Sequence, residues 1–178
     1  AGGSGGGGPV FNDAGCFIMG FPQASVLDGL YQNGSDGGDE YHSGLITDRD
    51  PDNSPDGGHN EYWFEIYYFN GATGGSKTLT ATTLADCEYC LYLDTRCNKD
   101  LNCSNTSYLA QAGNINITQA TKNEGTGRLT AAANKVKFVQ WNFNNDVAVN
   151  NGTCIEFTGN LDVSWAGGNV FQGYGGPP

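Results

Sequence analysis

Positive charge is scarce in this chain: 8 Lys and Arg stand against 19 Asp and Glu, a formal net charge of -11. Binding to a polyanion needs a basic footprint, so this balance excludes nucleic acid and anionic membrane surfaces as partners. Lys and Glu are also few, and Asn, Thr and Ser fill the polar positions instead, which is unlike the composition of helix-rich cytosolic enzymes. No apolar run approaches the roughly 20 residues of a membrane helix, so no membrane insertion is expected. No signal peptide is visible, and a small residue at position 1 suits the position after a cleaved export signal, so the expectation is a mature secreted form.

What is abundant is glycine, 28 residues in 178, which raises the backbone entropy lost on folding. Six cysteines, Cys16, Cys87, Cys90, Cys97, Cys103 and Cys154, are an even set that offsets this if they form three disulfides at roughly 2–4 kcal/mol each. Disulfides place the protein in an oxidising compartment, and sequence alone leaves all of their connectivities open. Asn33, Asn102, Asn105, Asn116 and Asn151 each begin an Asn-x-Ser/Thr acceptor sequence, a pattern that Asn-rich chains also produce by chance.

Three regions are expected: a glycine-rich N-terminal arm over residues 1–9, one β-rich domain over 10–166, and a Gly/Pro-rich C-terminal arm over 167–178 that carries Phe171 and Tyr174. Such arms serve as flexible linkers. Alternatively, because glycine permits the closest backbone approach, they add as strands or dock on neighbouring subunits.

Between the arms the pattern is strand-like. Residues 61–69 set Tyr62, Phe64, Ile66 and Tyr68 on one face, and the turn signal Asn70-Gly71 leads to the β-branched run 77–83, which reads as a hairpin or meander. Segments from Asn114 and Arg128 flank "NEGTG", another hairpin signal. "TCIEF" and "LDVSWA" read as a pair joined by Thr158-Gly159-Asn160, and Asn151-Gly152 as a further turn. Only residues 83–93 and 131–135 have helical potential. Strands and Gly/Asn turns at this spacing predict an all-β fold: an antiparallel β-sandwich, jelly-roll or immunoglobulin-like, stapled by disulfides.

The stretch "TDRDPDNSPDGG" places Asp48, Asp50, Asp52 and Asp56 at near-alternate positions, resembling the Asp-x-Asp-x-Asp core of calcium loops, where a hard cation gathers several oxygens. Counting from Asp48, the sixth position is Asn53 instead of Gly and the twelfth is His59 instead of Glu, so it is not an EF-hand. It looks more like the irregular Asp-rich loops of thrombospondin type 3 repeats and dockerins. Asp36, Asp39, Glu40 and Glu61 are candidates to complete a shell, and the opposing reading is an acidic loop that only aids solubility.

Catalytic constellations are thin. Gly2-Gly3-Ser4-Gly5-Gly6 matches a nucleophile elbow only formally, lacking a strand before and a helix after it. Cys87 and Cys90 lie beside Asp86 and Glu88, which would raise a thiol pKa and oppose redox catalysis, and no second knuckle supports zinc. His42 and His59 read as surface histidines. Glu61 and Glu65 lie about 13 Å apart along a strand, too far for a glycosidase pair, and read as a solvated stripe. Trp63, Tyr67 and Phe69 fall on the outer side of the sheet, where they would stack on sugars, pack between subunits or be covered by loops.

The run "TLADCEYCLYLDTRCNKDLNCSNTSYLAQAGNINIT", with "GRLTAAANKVKFVQW" and "NNGTCIEFTG" after it, resembles a cysteine-containing β-rich module of uncharacterised secreted or surface proteins of myxobacteria and related bacteria, over about residues 78–160. The resemblance implies an extracellular bacterial origin and no catalytic residue. The expectation is therefore a non-catalytic secreted structural protein, the self-assembling subunit of an extracellular or cell-surface filament or matrix, with calcium in the Asp48–Asp56 loop and Phe171 and Tyr174 among the assembly residues. The alternative is a calcium-dependent carbohydrate-binding module using Trp63, Tyr67 or Trp165; a hydrolase is a third.

Overall fold

The computed structural model describes residues 12–20, 25–33, 40–47, 59–67, 74–80, 82–97 and 103–166. Every regular element among them is a strand: β1 (Phe17–Gly20), β2 (Ser25–Asn33), β3 (Glu40–Thr47), β4 (His59–Tyr67), β5 (Gly75–Thr78), β6 (Tyr89–Cys97), β7 (Cys103–Ala120), β8 (Thr126–Asn142), β9 (Val147–Ala148) and β10 (Cys154–Ala166). They form one mixed sheet in the order β1-β10-β8-β7-β6-β4-β3-β2, with β5 also on β7 and β9 on β8. The β1–β10 pair is parallel and all the others are antiparallel.

Several local expectations give way to long-range pairing. Residues 83–93 are not helical: 83–88 form turns and bends and β6 begins at Tyr89, because Leu91, Tyr92 and Leu93 are buried on both faces of the sheet. Residues 131–135 lie inside β8. β5 pairs with β7, and β4 with β3 and β6, so these two strands are not the hairpin pair expected; the turn residues Asn70 and Gly71 lie outside the described residues. "TCIEF" and "LDVSWA" are a single strand, β10, with a register shift between Phe157 and Gly159 where a turn was expected. The β7–β8 hairpin across residues 121–125 forms as anticipated.

One sheet buries its own face by bending. β7 shifts register around Ala112, with Gly113 at φ 107; β8 carries Lys135 at φ 49; β10 shifts between Phe157 and Gly159. These irregularities are neighbours across the sheet, and the Lys135 N–H donates to the Thr158 hydroxyl at 3.0 Å. Aligned bulges turn all three long strands along one line, as bulges do wherever a sheet must curve. The first half of β7 then pairs with β6 and the second half with β5.

After the bend β10 comes to lie against β2 and β3. Gly29 and Gly44, a cross-strand pair, make this approach possible: a Cβ at either would stand 2.9 Å or less from the Val163 side chain. The enclosed core holds Ile46, Tyr62, Phe64, Ile66, Leu91, Leu93, Leu129, Val136, Phe138, Phe157, Leu161, Val163 and Trp165, with the Tyr62 and Phe157 rings 5.4 Å apart. Polar contacts lock the rim. Trp165 donates to the Asn123 carbonyl at 2.8 Å, His42 Nε2 donates to the Thr121 carbonyl at 3.0 Å, and Lys122 pairs with Glu40 at 2.6 Å. The β7–β8 turn is thereby fastened onto β3.

Three disulfides complete the framework: Cys16–Cys154, Cys87–Cys90 and Cys97–Cys103. They point to an oxidising, extracellular environment. No helix among the described residues is long and apolar enough to cross a membrane.

The bend line yields a test. Gly113→Ala places a Cβ 2.5 Å from the Lys135 carbonyl oxygen at a φ that L-residues rarely adopt. It is expected to destabilise the protein by about 1–3 kcal/mol, lowering the thermal midpoint by several degrees in calorimetry. An unchanged midpoint would mean that the bend does not need this geometry.

Candidate functional site

On the side of the sheet away from the main core, cross-strand register lines up polar and aromatic rows. Thr47 stands opposite Glu61, Glu61 opposite Asp94, and Asp94 opposite Ser107. The adjoining row runs Leu45, Trp63, Tyr92, Leu109, and the next pairs Ser43 with Glu65. Directly opposed residues share a face, so register alone gathers these side chains.

The aromatic row is covered. Leu45, Trp63, Tyr92, Leu109 and Trp141 form a second buried cluster, with Leu84 and Phe143 packed on it. Trp63 stacks on Tyr92 at 5.7 Å, and Phe143 meets the Tyr92 ring edge-on at 5.9 Å. Asp146 fixes the covering loops by accepting from the Leu84 N–H at 2.8 Å and from the Trp141 indole at 3.0 Å. Burial opposes its ionisation, yet these donors outweigh burial and hold the carboxyl below its ordinary range.

Beside this cluster lies the acidic row. Glu61 is 2% exposed and His59 1%, with His59 Nε2 3.2 Å from Glu61 Oε1. A bulge on β6, where Arg96 takes φ 60 and donates its N–H to Asn60, brings Cys97 opposite His59 while Asp94 remains opposite Glu61. Burial, then the neighbouring charge of Asp94, push the Glu61 carboxyl up to about 7 against a hydrogen bond from Trp63. Burial also raises Asp94, against the hydroxyl of Ser107 that donates to it.

Glu65, 7% exposed, accepts from the Ser43 hydroxyl at 3.2 Å and the Tyr67 hydroxyl at 3.0 Å, and burial raises its pKa in spite of them. Burial, followed by the charge of Glu65, drives the Tyr92 hydroxyl well above the usual phenol range.

With Glu61 buried and Asp94 half-buried beside it, a bound proton or cation relieves the repulsion between the two carboxyl groups. Ligand atoms of Glu61, Asp94 and Cys103 lie within 4.8 Å of one another, as do those of His59, Glu61 and Cys97. Cys97 and Cys103 are spent on each other as a disulfide and offer no thiolate. The donors able to hold a cation here are therefore the carboxylates of Glu61 and Asp94 and the His59 ring.

This arrangement corrects three expectations. Glu61 and Glu65 are not a solvated stripe, and neither His42 nor His59 is on the surface; all four are buried. Trp63 does lie on the face opposite Tyr62 and Phe64, but under loops, and Trp165 belongs to the main core. Tyr67 is half-buried and stacks on Tyr41 at 5.6 Å. Glu40 is engaged by Lys122 and by the Tyr31 hydroxyl. Asp48, Asp50, Asp52, Asp56, Asp36, Asp39, Phe69, Phe171 and Tyr174 lie outside the described residues.

Sequence reasoning missed Asp94, and with it the acidic row. The usable signal was the nearly unbroken aromatic run 62–68, since a strand covered on both faces shows apolar residues on both sides and carries its polar residues inside too.

A raised carboxyl makes stability fall with rising pH. Below about 4.5 Glu61 is protonated in both folded and unfolded chains, whereas between 4.5 and about 7 the folded chain binds the extra proton, so its contribution is lost across that window. His42, whose pKa burial lowers, acts in the opposite sense, so a difference measurement is needed. Glu61→Gln, compared with the parent in chelator, is expected to become relatively more stable between pH 5 and pH 8 by roughly 2–3 kcal/mol. A pH-independent difference would show that Glu61 titrates normally.

No protein-family model, no curated protein and no solved structure matches the chain.

Proposed function

We propose that the protein is a non-catalytic, secreted structural subunit that polymerises with copies of itself into an extracellular or cell-surface filament or matrix through its glycine-rich terminal segments. The observation that supports this reading is where those segments attach. Residues 1–9 lead through Asn12 to Cys16, which is bonded to Cys154 beside the parallel pair β1–β10, and residues 167–178 continue directly from β10. Both segments therefore issue from the same pair of covalently joined strands, a firm base for glycine-rich chain that adds to a neighbour's sheet. Within this proposal residues 10–166 are one sandwich-like unit, and the likeness of residues 78–160 to bacterial surface modules gives its setting.

The proposal of a non-catalytic role is supported by the way the buried polar groups are engaged. His42 is committed to the Thr121 carbonyl on the core side of the sheet, while on the other face Glu65 accepts from Ser43 and Tyr67 and Glu61 lies against His59 with a hydrogen bond from Trp63, so each group is buried against a protein partner. Calcium is the cation proposed for Asp48, Asp50, Asp52 and Asp56. That segment joins the strand end bearing Thr47 to the one bearing His59 and Glu61, and a hard cation would relieve acidic crowding at this end of the sheet. The carbohydrate reading is weakened, because the indoles of Trp63 and Trp165 are 8% and 6% exposed and offer a sugar ring no platform.

Deleting residues 1–9 is expected to leave a folded protein with an unchanged thermal midpoint that forms no fibres in electron micrographs; normal fibres from the truncated chain would refute the assembly role. Calcium should raise the thermal midpoint by several degrees at a hundredfold excess over Kd, corresponding to ~2.7 kcal/mol. This shift should vanish when Asp48, Asp50, Asp52 and Asp56 are all changed to Asn, and the absence of any shift in the parent at millimolar calcium would return the segment to a solubilising role.

A further inference from the structure

The Cys16–Cys154 bridge closes a loop of 138 residues. Cys16 stands immediately before β1 and Cys154 opens β10, so the bridge joins the beginnings of two parallel, hydrogen-bonded strands. Ala166 lies at the far end of β10, about 40 Å away along the path of the strand at the usual rise per residue. Followed through covalent bonds, the shortest path from Asn12 to Ala166 crosses the bridge and runs down β10, leaving β1 to β9 on a side loop.

We propose that β10 and the Cys16–Cys154 bridge are the axis that carries tension through the protein, and that the other strands hang on this axis without carrying tension applied between the chain ends. This deepens the assembly reading and rests on it, because it is docking through both terminal segments that would place a subunit under such tension.

The mechanical consequence follows from geometry. Force favours unfolding in proportion to the length that unfolding releases. β10 is already extended, is paired with β8 along nearly its whole length and carries β1 at its start. Between Asn12 and Ala166 the loaded path therefore has little slack to release beyond the straightening of the bend between Phe157 and Gly159. Without the bridge, the same pull enters β1, whose four residues pair only with β10, and then acts on the rest of the chain in turn. The two other disulfides have sequence separations of 3 and 6 and hide almost no length, so the shielding belongs to Cys16–Cys154.

The test is force spectroscopy on the 178-residue chain, held by handles at its two ends, before and after a reductant is added, together with the C16S/C154S double variant. The oxidised protein should lengthen only by its terminal segments and by a nanometre or so along the axis. The reduced protein and the double variant should each show an added release of roughly 50 nm, from 138 residues at about 3.6 Å each. If the double variant does not fold, reduction of the folded parent under tension gives the same reading. Release of tens of nanometres from the oxidised chain would overturn the proposal, and so would a reduced chain that withstands the same force without that release. Failure of the assembly reading is seen separately, as discrete monomers in micrographs, whatever the tethered molecule does.

Discussion

The aligned break in β7, β8 and β10 is the constraint on which the rest depends. Two of these strands carry a register shift and one a left-handed Lys135, and the three irregularities stand side by side. A flat ten-stranded sheet would leave one apolar face in water; the bend lets the far half of β10 reach β2 and β3 and close that face on itself. Gly29 and Gly44 then set the spacing, since their missing side chains are the space that Val163 fills. The described residues, which include no helix, obtain a continuous core in this way from a single sheet.

Covering the other face is a different problem with a different solution. Here short loops, held by Asp146, lay Leu84 and Phe143 over Trp63, Tyr92 and Trp141. Beside this cluster Glu61 is buried and Asp94 half-buried, and both carboxyl groups hold their protons more tightly than exposed ones would, as does buried Glu65. Burial comes first, and the shift in acidity is its result.

The division between what was legible in the sequence and what was not follows contact range. The β7–β8 hairpin was readable because its turn and both alternating strands are contiguous, and the inward set Tyr62, Phe64 and Ile66 was readable from period two alone. Strand content and disulfide formation followed from composition and cysteine number. Partners chosen at a distance were not readable: β5 joins β7, and Cys16 finds Cys154, for reasons that no local window contains. Thr158-Gly159-Asn160 has the chemistry of a turn and serves as a bend, which only its neighbours in β8 decide. Polar residues in a strand are read as outward by default, so sequence alone puts Glu61, Glu65, His42 and His59 on the surface, whereas all four are buried, His42 by Trp165 and the β7–β8 turn, which are distant in sequence.

All three tryptophans are buried, but in two separate places. Trp63 and Trp141 belong to the loop-covered cluster, and Trp165 to the core enclosed by the bend. Their fluorescence therefore reports on two dissimilar environments, one sealed by loops and one by the folding-over of the sheet. Replacing Trp165 with phenylalanine leaves indoles on the loop-covered side alone. Emission then follows the lifting of those loops, while far-ultraviolet circular dichroism follows the sheet, and the order in which the two faces come apart can be read from one unfolding curve of each kind.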